Sequence, residues 1–357
     1  MMRAEAYAPG RVELLGNHTD YNEGVVLGAA IDRGLTVIGE TRDDDLISIS
    51  STMMGSVEIP RAHLGQQKAG HWANYALGVA AALSALNVPI MSFSVHVDGN
   101  LPAGCGLSSS AALEVATTLL LLKLSDREMP RFEIAKVCQR AEHQFVGVQS
   151  GLLDQVCSIF GRAKHAVFFD ARSEEVRTIQ FPKRTALVIA NSGRKRELIN
   201  GLYNERRKET RAAAEGLGVR ALRDVSGDAL AKSKLPPQLR RRAAHIVGEN
   251  ERVWRGLDLL AADDGPGFGA LMNESHESSR LNFENSTPEL DLLVDIARQL
   301  PAVWGARLTG GGFGGATANL CEEEQAEQVA KELARQYTRR TKIQSQTFVC
   351  RIAEGAH

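Results

Sequence analysis

Three stretches of this 357-residue chain concentrate groups that could do chemistry. In Leu101-Pro-Ala-Gly-Cys-Gly-Leu-Ser-Ser-Ser-Ala111, glycines precede three consecutive hydroxyls and then an apolar run, Ala111 to Leu124. Upstream, Ser92 to Val97 alternates with the period of a half-buried strand. A strand, a glycine loop and a helix N-terminus make an anion site. The first helical turn has free N–H groups and about half a positive charge from the macrodipole. A serine-capped turn would explain one hydroxyl; Ser108, Ser109 and Ser110 together, behind Gly104 and Gly106, favour phosphate. The loop is not a Walker A sequence, because no lysine stands before the serines. The charge of a bound phosphate must then be met by backbone, a metal ion and groups from elsewhere in the chain.

The second stretch, Ala8 to Gly24, packs Arg11, Asn17, His18, Asp20 and Asn22 between glycines. A plain polar loop shares this composition, but the density of directional hydrogen-bonding groups suits recognition of a polyol such as a sugar. His18 and Asp20 have no nearby third ligand for a metal site. The third, Ser150 to Phe160, sets Asp154 among apolar neighbours. An unpaired carboxylate would be costly there, so Asp154 is either a cap or salt-bridge partner or a catalytic base beside a positive group. Glu142, at the edge of an apolar helical stripe, is a solvated or ion-paired residue unless it faces Ser110 as a magnesium ligand.

The positioning elements read as follows. Residues 25–31 and 35–40 are expected as strands separated by Asp32-Arg-Gly34, and Arg42–Asp45 as a hairpin turn. Helices are expected over 72–86, from Ser110, and over 131–146. Strands follow at 165–170 and 186–190. The segments Asn191–Leu198 and Tyr203–Lys208 lead into further helices. Arg240-Arg-Arg242 falls on an amphipathic helix with Glu249 and Glu251 behind it, which predicts a solvated face and no nucleic-acid patch. Gly265-Pro-Gly267 reads as a turn. Val303–Thr309 and Gly315–Cys321 read as strands joined by Gly310–Gly314. Those glycines match G-x-G-x-x-G formally but precede a strand, which excludes a dinucleotide fold; the hairpin is expected to pack against the phosphate loop or the sugar. Helix 322–337 and strand 346–352 close the chain.

Composition bounds the rest. With 43% hydrophobic residues the chain can bury a large core in two domains or one large one. The 42 basic and 43 acidic residues, net charge −1, give no reason to expect nucleic acid or a membrane surface. Five cysteines without C-x-x-C spacing argue against zinc or a disulfide framework and fit a reducing compartment. The apolar run is too short to span a bilayer, and no signal peptide is apparent, so a cytoplasmic protein is expected.

Taken together, the stretches resemble the galactokinase family, part of the wider group that holds homoserine, mevalonate and phosphomevalonate kinases (GHMP kinases). Ala8-Pro-Gly-Arg-Val with Gly16-Asn-His-Thr-Asp-Tyr-Asn-x-Gly24 is similar to the family's sugar motif. Pro102-x-Gly-x-Gly-Leu-Ser-Ser-Ser-Ala111 is similar to its phosphate loop, and Leu308-Thr-Gly-Gly-Gly-Phe-Gly-Gly315 to its third motif. The likeness continues through Trp72–Tyr75, Glu142–Gly147, Gly151–Gln155, Tyr203–Arg207, Ala221–Val225 and Glu274–His276. It implies an α+β, two-domain GHMP-kinase-like fold: an N-terminal mixed α/β domain over 1–182 and a C-terminal ferredoxin-like domain over 183–357, with the active site between them. It further implies ATP-dependent, Mg²⁺-assisted phosphorylation of galactose at its anomeric hydroxyl. By position, Asp154 and Arg11 would be catalytic. Asn17, His18, Asp20 and Tyr203 would contact the sugar. Gly104, Cys105, Gly106, Leu107, Ser108, Ser109 and Ser110 would cradle ATP, and Ser110 and Glu142 would hold Mg²⁺. Two positions depart from the family pattern: Asn17 replaces a usual glutamate, and Arg280-Leu-Asn282 replaces Arg-Asp-Asp. They leave another hexose or hexose derivative open as substrate. A non-catalytic sugar sensor of this type would lack part of the serine–alanine segment, and Ser108–Ala112 is complete here.

Overall fold

The computed structural model describes residues 2–67, 70–102, 104–193 and 199–357, with no side-chain account at 199 and 200. Ala103 in the glycine loop and residues 194–198 of the segment expected to lead into a helix lie outside the described residues. Among the described residues there are eleven strands and ten α-helices.

The first half is built on β1 (Arg3–Leu15) and the 17-residue β2 (Val25–Thr41), paired antiparallel along nearly their whole length. β3 (Leu46–Ser51), β4 (Gly55–Pro60), β5 (Phe93–Gly99), β6 (His165–Asp170) and β7 (Glu175–Gln180) complete one sheet. Two expectations fail here. Residues 25–41 form one continuous strand: Asp32 and Arg33 are taken up in a register shift against β1 between Pro9, which pairs with Gly34, and Arg11, which pairs with Ala30, and Asp32 N–H donates to Arg351 O at 3.0 Å. Arg42–Asp45 is not a hairpin turn: β5 inserts between β2 and β3, antiparallel to one and parallel to the other. β2 thus pairs along one edge with β6 at its start and β5 at its end.

The helices α1 (Asn74–Ala85), α2 (Ser109–Leu124), α3 (Arg131–Ala141) and α4 (Leu153–Phe160) pack against one another, and α2 and α4 also against β1 and β2. α2 is buried along most of its length, as its apolar composition requires. The expected helix over 131–146 leaves α geometry at Ala141 and continues as one π-helical turn, Glu142–Val146, ended by Gly147 at φ +80°. A π turn rotates the side chains that follow it out of helical phase.

The second half carries an antiparallel four-stranded sheet in the order β11-β8-β10-β9, formed by β8 (Thr185–Asn191), β9 (Val303–Thr309), β10 (Ala316–Glu322) and β11 (Thr347–Cys350). The expected Gly310–Gly314 hairpin joins β9 to β10. The helices are α5 (Ile199–Leu217), the short α6 (Gly227–Ala231), α7 (Pro237–Ala261), α8 (Gly265–Ser278), α9 (Pro288–Arg298) and α10 (Ala326–Thr341). Gly265-Pro-Gly267, expected as a turn, opens α8: Asp264 caps Gly267 N–H and Pro266 occupies the first turn, where it loses no hydrogen bond. Arg242 on α7, expected on a solvated face, is 1% exposed and pairs with Glu209 at 2.7 Å and Glu284 at 2.6 Å. Glu249 is likewise fully buried.

Both halves share core. Leu187 and Ile189 of β8, and Val253 and Phe268 of α7 and α8, join the cluster that fills the first sheet. The C-terminus returns to β1, where Tyr7 and His357 exchange backbone hydrogen bonds of 2.9 and 3.0 Å. Among the described residues no helix is long and apolar enough to cross a membrane.

Candidate active site

Arg11 leaves β1 against the glycine loop. Its N–H donates to Leu107 O at 3.1 Å and its Nη1 to Gly106 O at 2.6 Å. Its Nε and Nη2 both reach Asp154 Oδ1, at 2.8 and 2.6 Å. Burial disfavours the Arg11 cation, but Asp154 and Glu13 outweigh it and raise the pKa. Asp154 thus has a positive partner, which both a salt-bridge partner and a catalytic base beside a positive group would have. Ser108 donates its hydroxyl to Asp154 Oδ2 at 2.5 Å. This answers the question of the serine cap: Ser108 precedes α2 in the left-handed region (φ +57°), and no side chain caps the helix. Such a conformation at a non-glycine residue costs about 1–3 kcal/mol and is tolerated where surroundings fix it. The Gly310–Gly314 hairpin packs as expected: a Cβ on Gly310 would lie 2.9 Å from Gly106 O.

Arg11, Asn17, His18, Asp20, Gly104, Gly106, Ser108, Ser109, Ser110, Glu142, Asp154 and Tyr203 line one cavity of about 200 Å³. Cys105 and Leu107, in the same loop, turn into the core at 1% exposure each. Asn191 Nδ2 donates to the Cys105 sulfur at 2.9 Å, tying the loop to β8.

Asp20 is seated by two backbone donors, Tyr21 N–H at 2.9 Å and Leu153 N–H at 3.4 Å. Its carboxylate lies so close to Gly151 that a Cβ there would sit 1.7 Å from Oδ2. Burial first, then the charge of Asp154, raises Asp20 to about 6. His18 is held on both nitrogens, Nδ1 by the Tyr21 hydroxyl at 2.8 Å and Nε2 by Gly311 O at 3.0 Å. Burial lowers its pKa to about 3, so it is neutral, donating from Nε2 and accepting at Nδ1. Tyr203 and Phe283 flank its ring at centroid distances of 5.0 and 4.6 Å. Gly311 lets the Tyr203 ring lie against backbone.

Glu142, at the start of the π turn, is buried. Its Oε2 accepts from the Ser150 hydroxyl and from Gln155 Nε2 at 3.2 Å. Burial raises it to about 7, the Ser150 bond opposes this and the charge of Asp154 adds to it. Gln155 also donates to Glu114 Oε2 at 3.4 Å. Glu114, one turn beyond Ser110 in α2, is fully buried, and burial with the charge of Glu142 raises it well above the usual carboxylate range.

Sequence reasoning missed Glu13, Tyr75, Ser150, Gly151 and Gly311 as cavity residues. For Glu13 a signal existed: it is a carboxylate flanked by Val12, Leu14 and Leu15, four residues before Asn17. It also missed the support beneath the sugar motif. Glu249 Oε2 accepts the N–H groups of Gly16 and Asn17, both at 2.8 Å, and the Ser275 hydroxyl at 3.0 Å. Burial opposes the Glu249 charge, but Arg252 and the other surrounding donors hold its pKa far below the usual range.

The arrangement can orient a hydroxyl next to a carboxylate while an arginine and a helix N-terminus face an anion. That is the equipment of phosphoryl transfer, which needs alignment and charge neutralisation. Comparisons with known proteins agree. Residues 74–162 match the GHMP kinases N terminal domain, 257–339 the GHMP kinases C terminal region, and 4–41 the galactokinase galactose-binding signature. The fold is shared with the mevalonate kinase of Methanococcus jannaschii, at TM-score 0.72 and 22% identity over 99% of this chain and 98% of that one. Fold and domain matches define a GHMP kinase. The chain is 40% identical to a galactokinase of Roseiflexus sp., over 98% of this chain and 91% of the relative. It is 38% identical to that of Mannheimia succiniciproducens, over 98% and 94%. It superposes on Lactococcus lactis galactokinase complexed with galactose at TM-score 0.95 and 30% identity, over 99% and 95%. The chain belongs to the galactokinase family and is a sugar kinase.

Proposed function

We propose that this chain transfers the terminal phosphoryl group of ATP to the anomeric hydroxyl of galactose, giving galactose 1-phosphate and ADP. The observation that carries the reading is Asp154, joined at one oxygen to Arg11 and at the other to Ser108 on the cavity wall. In this role Asp154 positions the anomeric hydroxyl and accepts its proton, and Arg11 stabilises the transferring phosphoryl group. The loop from Gly104 through Cys105, Gly106, Leu107, Ser108 and Ser109 to Ser110 cradles the phosphates with backbone N–H groups. Asp20 and Tyr203 meet the sugar. His18 and Asn17 shape the wall behind it, since their polar atoms are engaged by protein partners.

Mg²⁺ would be held by Ser110 and Glu142. Both offer hard oxygen on the cavity wall, and Glu142 Oε1 has no hydrogen-bond partner among the described residues. Two protein oxygens plus substrate phosphates is the ligand set this ion prefers. The ion neutralises phosphate charge that no Walker lysine is present to meet. The reading includes a division of the chain at 182/183, between β7 and β8, and a cytoplasmic location, which five buried free thiols suit. Neither a membrane nor a nucleic-acid partner belongs to it.

Asn17 supports a second reading, the same chemistry on another hexose or hexose derivative. An ADP-release assay across a hexose panel tests both. Galactose is expected to give the highest kcat/KM; a better hexose would replace it as substrate, and no sugar-dependent ADP would return the chain to a sensor.

A further inference from the structure

Asn17, at the position where a glutamate is usual in the family, has no polar valence left for a ligand. Its Nδ2 donates to Glu13 Oε1 at 2.7 Å and Gly310 O at 3.0 Å. Its Oδ1 accepts from Asn285 Nδ2 at 2.9 Å and the Ser279 hydroxyl at 3.5 Å. Glu13 is the opposite case. Its Oε1 takes the Asn17 amide and Arg307 Nη2 at 3.2 Å, and its Oε2 has no hydrogen-bond partner among the described residues. Glu13 is 4% exposed and lines the cavity. Glu13 Oε2 is not a sealed atom: it is open to the cavity, where a ligand O–H can supply the donor that no described protein group does.

We propose that Glu13 supplies the carboxylate that recognises a sugar hydroxyl remote from the anomeric one, with Asn17 and Arg307 as positioning residues. The inference rests on the sugar-kinase reading above. Gly16, at φ +90°, turns the chain after β1 so that the side chains of Glu13 and Asn17 meet. Arg307 is fully buried on β9 and is itself anchored by Nη1 donating to Leu14 O at 2.9 Å. One carboxylate oxygen is thus fixed by an amide and a guanidinium, and the other is left in a set place for an O–H donor. The carboxyl group the family pattern carries at position 17 is in this chain carried at position 13, on the same cavity wall; burial pushes it up to about 7, against the pull of Arg307 and Arg11.

The test is the interaction between Glu13→Gln and the 2-, 3-, 4- and 6-deoxy analogues of whichever hexose the wild type turns over fastest. A hydroxyl donating to a carboxylate makes a charge-assisted bond, so its removal should lower wild-type kcat/KM about 10- to 100-fold. In Glu13→Gln the penalty at that one position should shrink to about 3- to 10-fold, the square root of its wild-type value, while the other penalties stay as in the wild type. A purely structural Glu13 would weaken every analogue alike and leave all four penalties intact, which overturns the proposal. Glu13→Asp retains a charge beside Arg307 and serves if the glutamine variant does not fold; retracting the carboxylate should shrink the same penalty. A wild type that turns over no hexose overturns both the kinase reading and the proposal, whereas turnover with unchanged penalties overturns the proposal alone.

Discussion

Arg11 grips a single oxygen of Asp154, with Nε at 2.8 Å and Nη2 at 2.6 Å from Oδ1, and leaves Oδ2 to Ser108. The residues come from β1 and α4, 143 positions apart. Their contact places a carboxylate with a fixed orientation at the edge of the glycine loop. Asp154→Asn retains the shape and an acceptor but removes the charge that takes a proton. We expect kcat to fall by about 10²–10⁴, with sugar affinity by equilibrium binding within a few-fold of wild type. Full activity in this variant would remove Asp154 from the chemistry.

Gly151 leaves the space that the Asp20 carboxylate occupies. A methyl group there would collide with Asp20 Oδ2 at 1.7 Å, so Gly151→Ala must displace that carboxylate from the cavity. A shift of this size in a positioning group lowers sugar kcat/KM by about 100-fold. The KM for ATP, whose proposed cradle is at the α2 end, should change little. Steady-state kinetics in both substrates would reveal the split, and an equal loss in both would point to general unfolding of the site.

Ser110→Ala removes one of two proposed oxygen ligands. The Mg²⁺ concentration for half-maximal activity should rise by at least roughly tenfold, the range found when even supporting contacts of a metal are lost. Titration of activity with Mg²⁺ at fixed total ATP checks this, and an unchanged curve would exclude Ser110 as a ligand.

Asp170, at the end of β6, ties the first half of the chain to the turn at Leu222–Asp224 through Arg223, with Nη1 on Oδ1 at 2.5 Å and Nη2 on Oδ2 at 2.7 Å. Burial would raise its pKa, but Arg223 and the N–H groups of Ser173 and Arg172 hold it at about 2, against an ordinary 3.8. A depressed carboxylate stabilises the fold above its unfolded pKa and loses that contribution as pH falls through its folded one. The contribution here is at most about 2 kcal/mol. Asp170→Asn should therefore be less stable than wild type above pH 4, by denaturant unfolding, and the gap should close as the pH is lowered toward 2. A gap that stays constant down to pH 2 would show that the charge is not the stabilising element.

Local chemistry was legible in the sequence, and long-range pairing was not. Gly104, Gly106 and the serines announced a glycine loop leading into the N-terminus of α2, because glycine spacing, hydroxyls and helix periodicity are all local signals. The Gly310–Gly314 hairpin was readable for the same reason. The insertion of β5 between β2 and β3 left no mark on Arg42–Asp45, since the partner of a strand is chosen by tertiary packing. Gly265-Pro-Gly267 was misread because proline and glycine serve turns and first helical turns alike; Asp264, immediately before them, was the distinguishing cap. Charge patterning misjudged Arg242 and Glu249, which look like members of a solvated face until Glu209, Glu284 and Arg252 are brought to them from other turns and helices. Asn17 drew attention by its type, whereas Glu13, which lines the same cavity wall and bonds to it, was passed over among the apolar residues Val12, Leu14 and Leu15.

The most direct test of the account is the position of the phosphate on the product. Phosphorus NMR of the wild-type reaction with galactose, ATP and Mg²⁺ should show one phosphomonoester, coupled to the anomeric proton and formed in step with ADP. A phosphomonoester coupled to ring or C6 methylene protons, or ADP formed without any sugar phosphate, would contradict the assignment of Asp154 beside the anomeric hydroxyl.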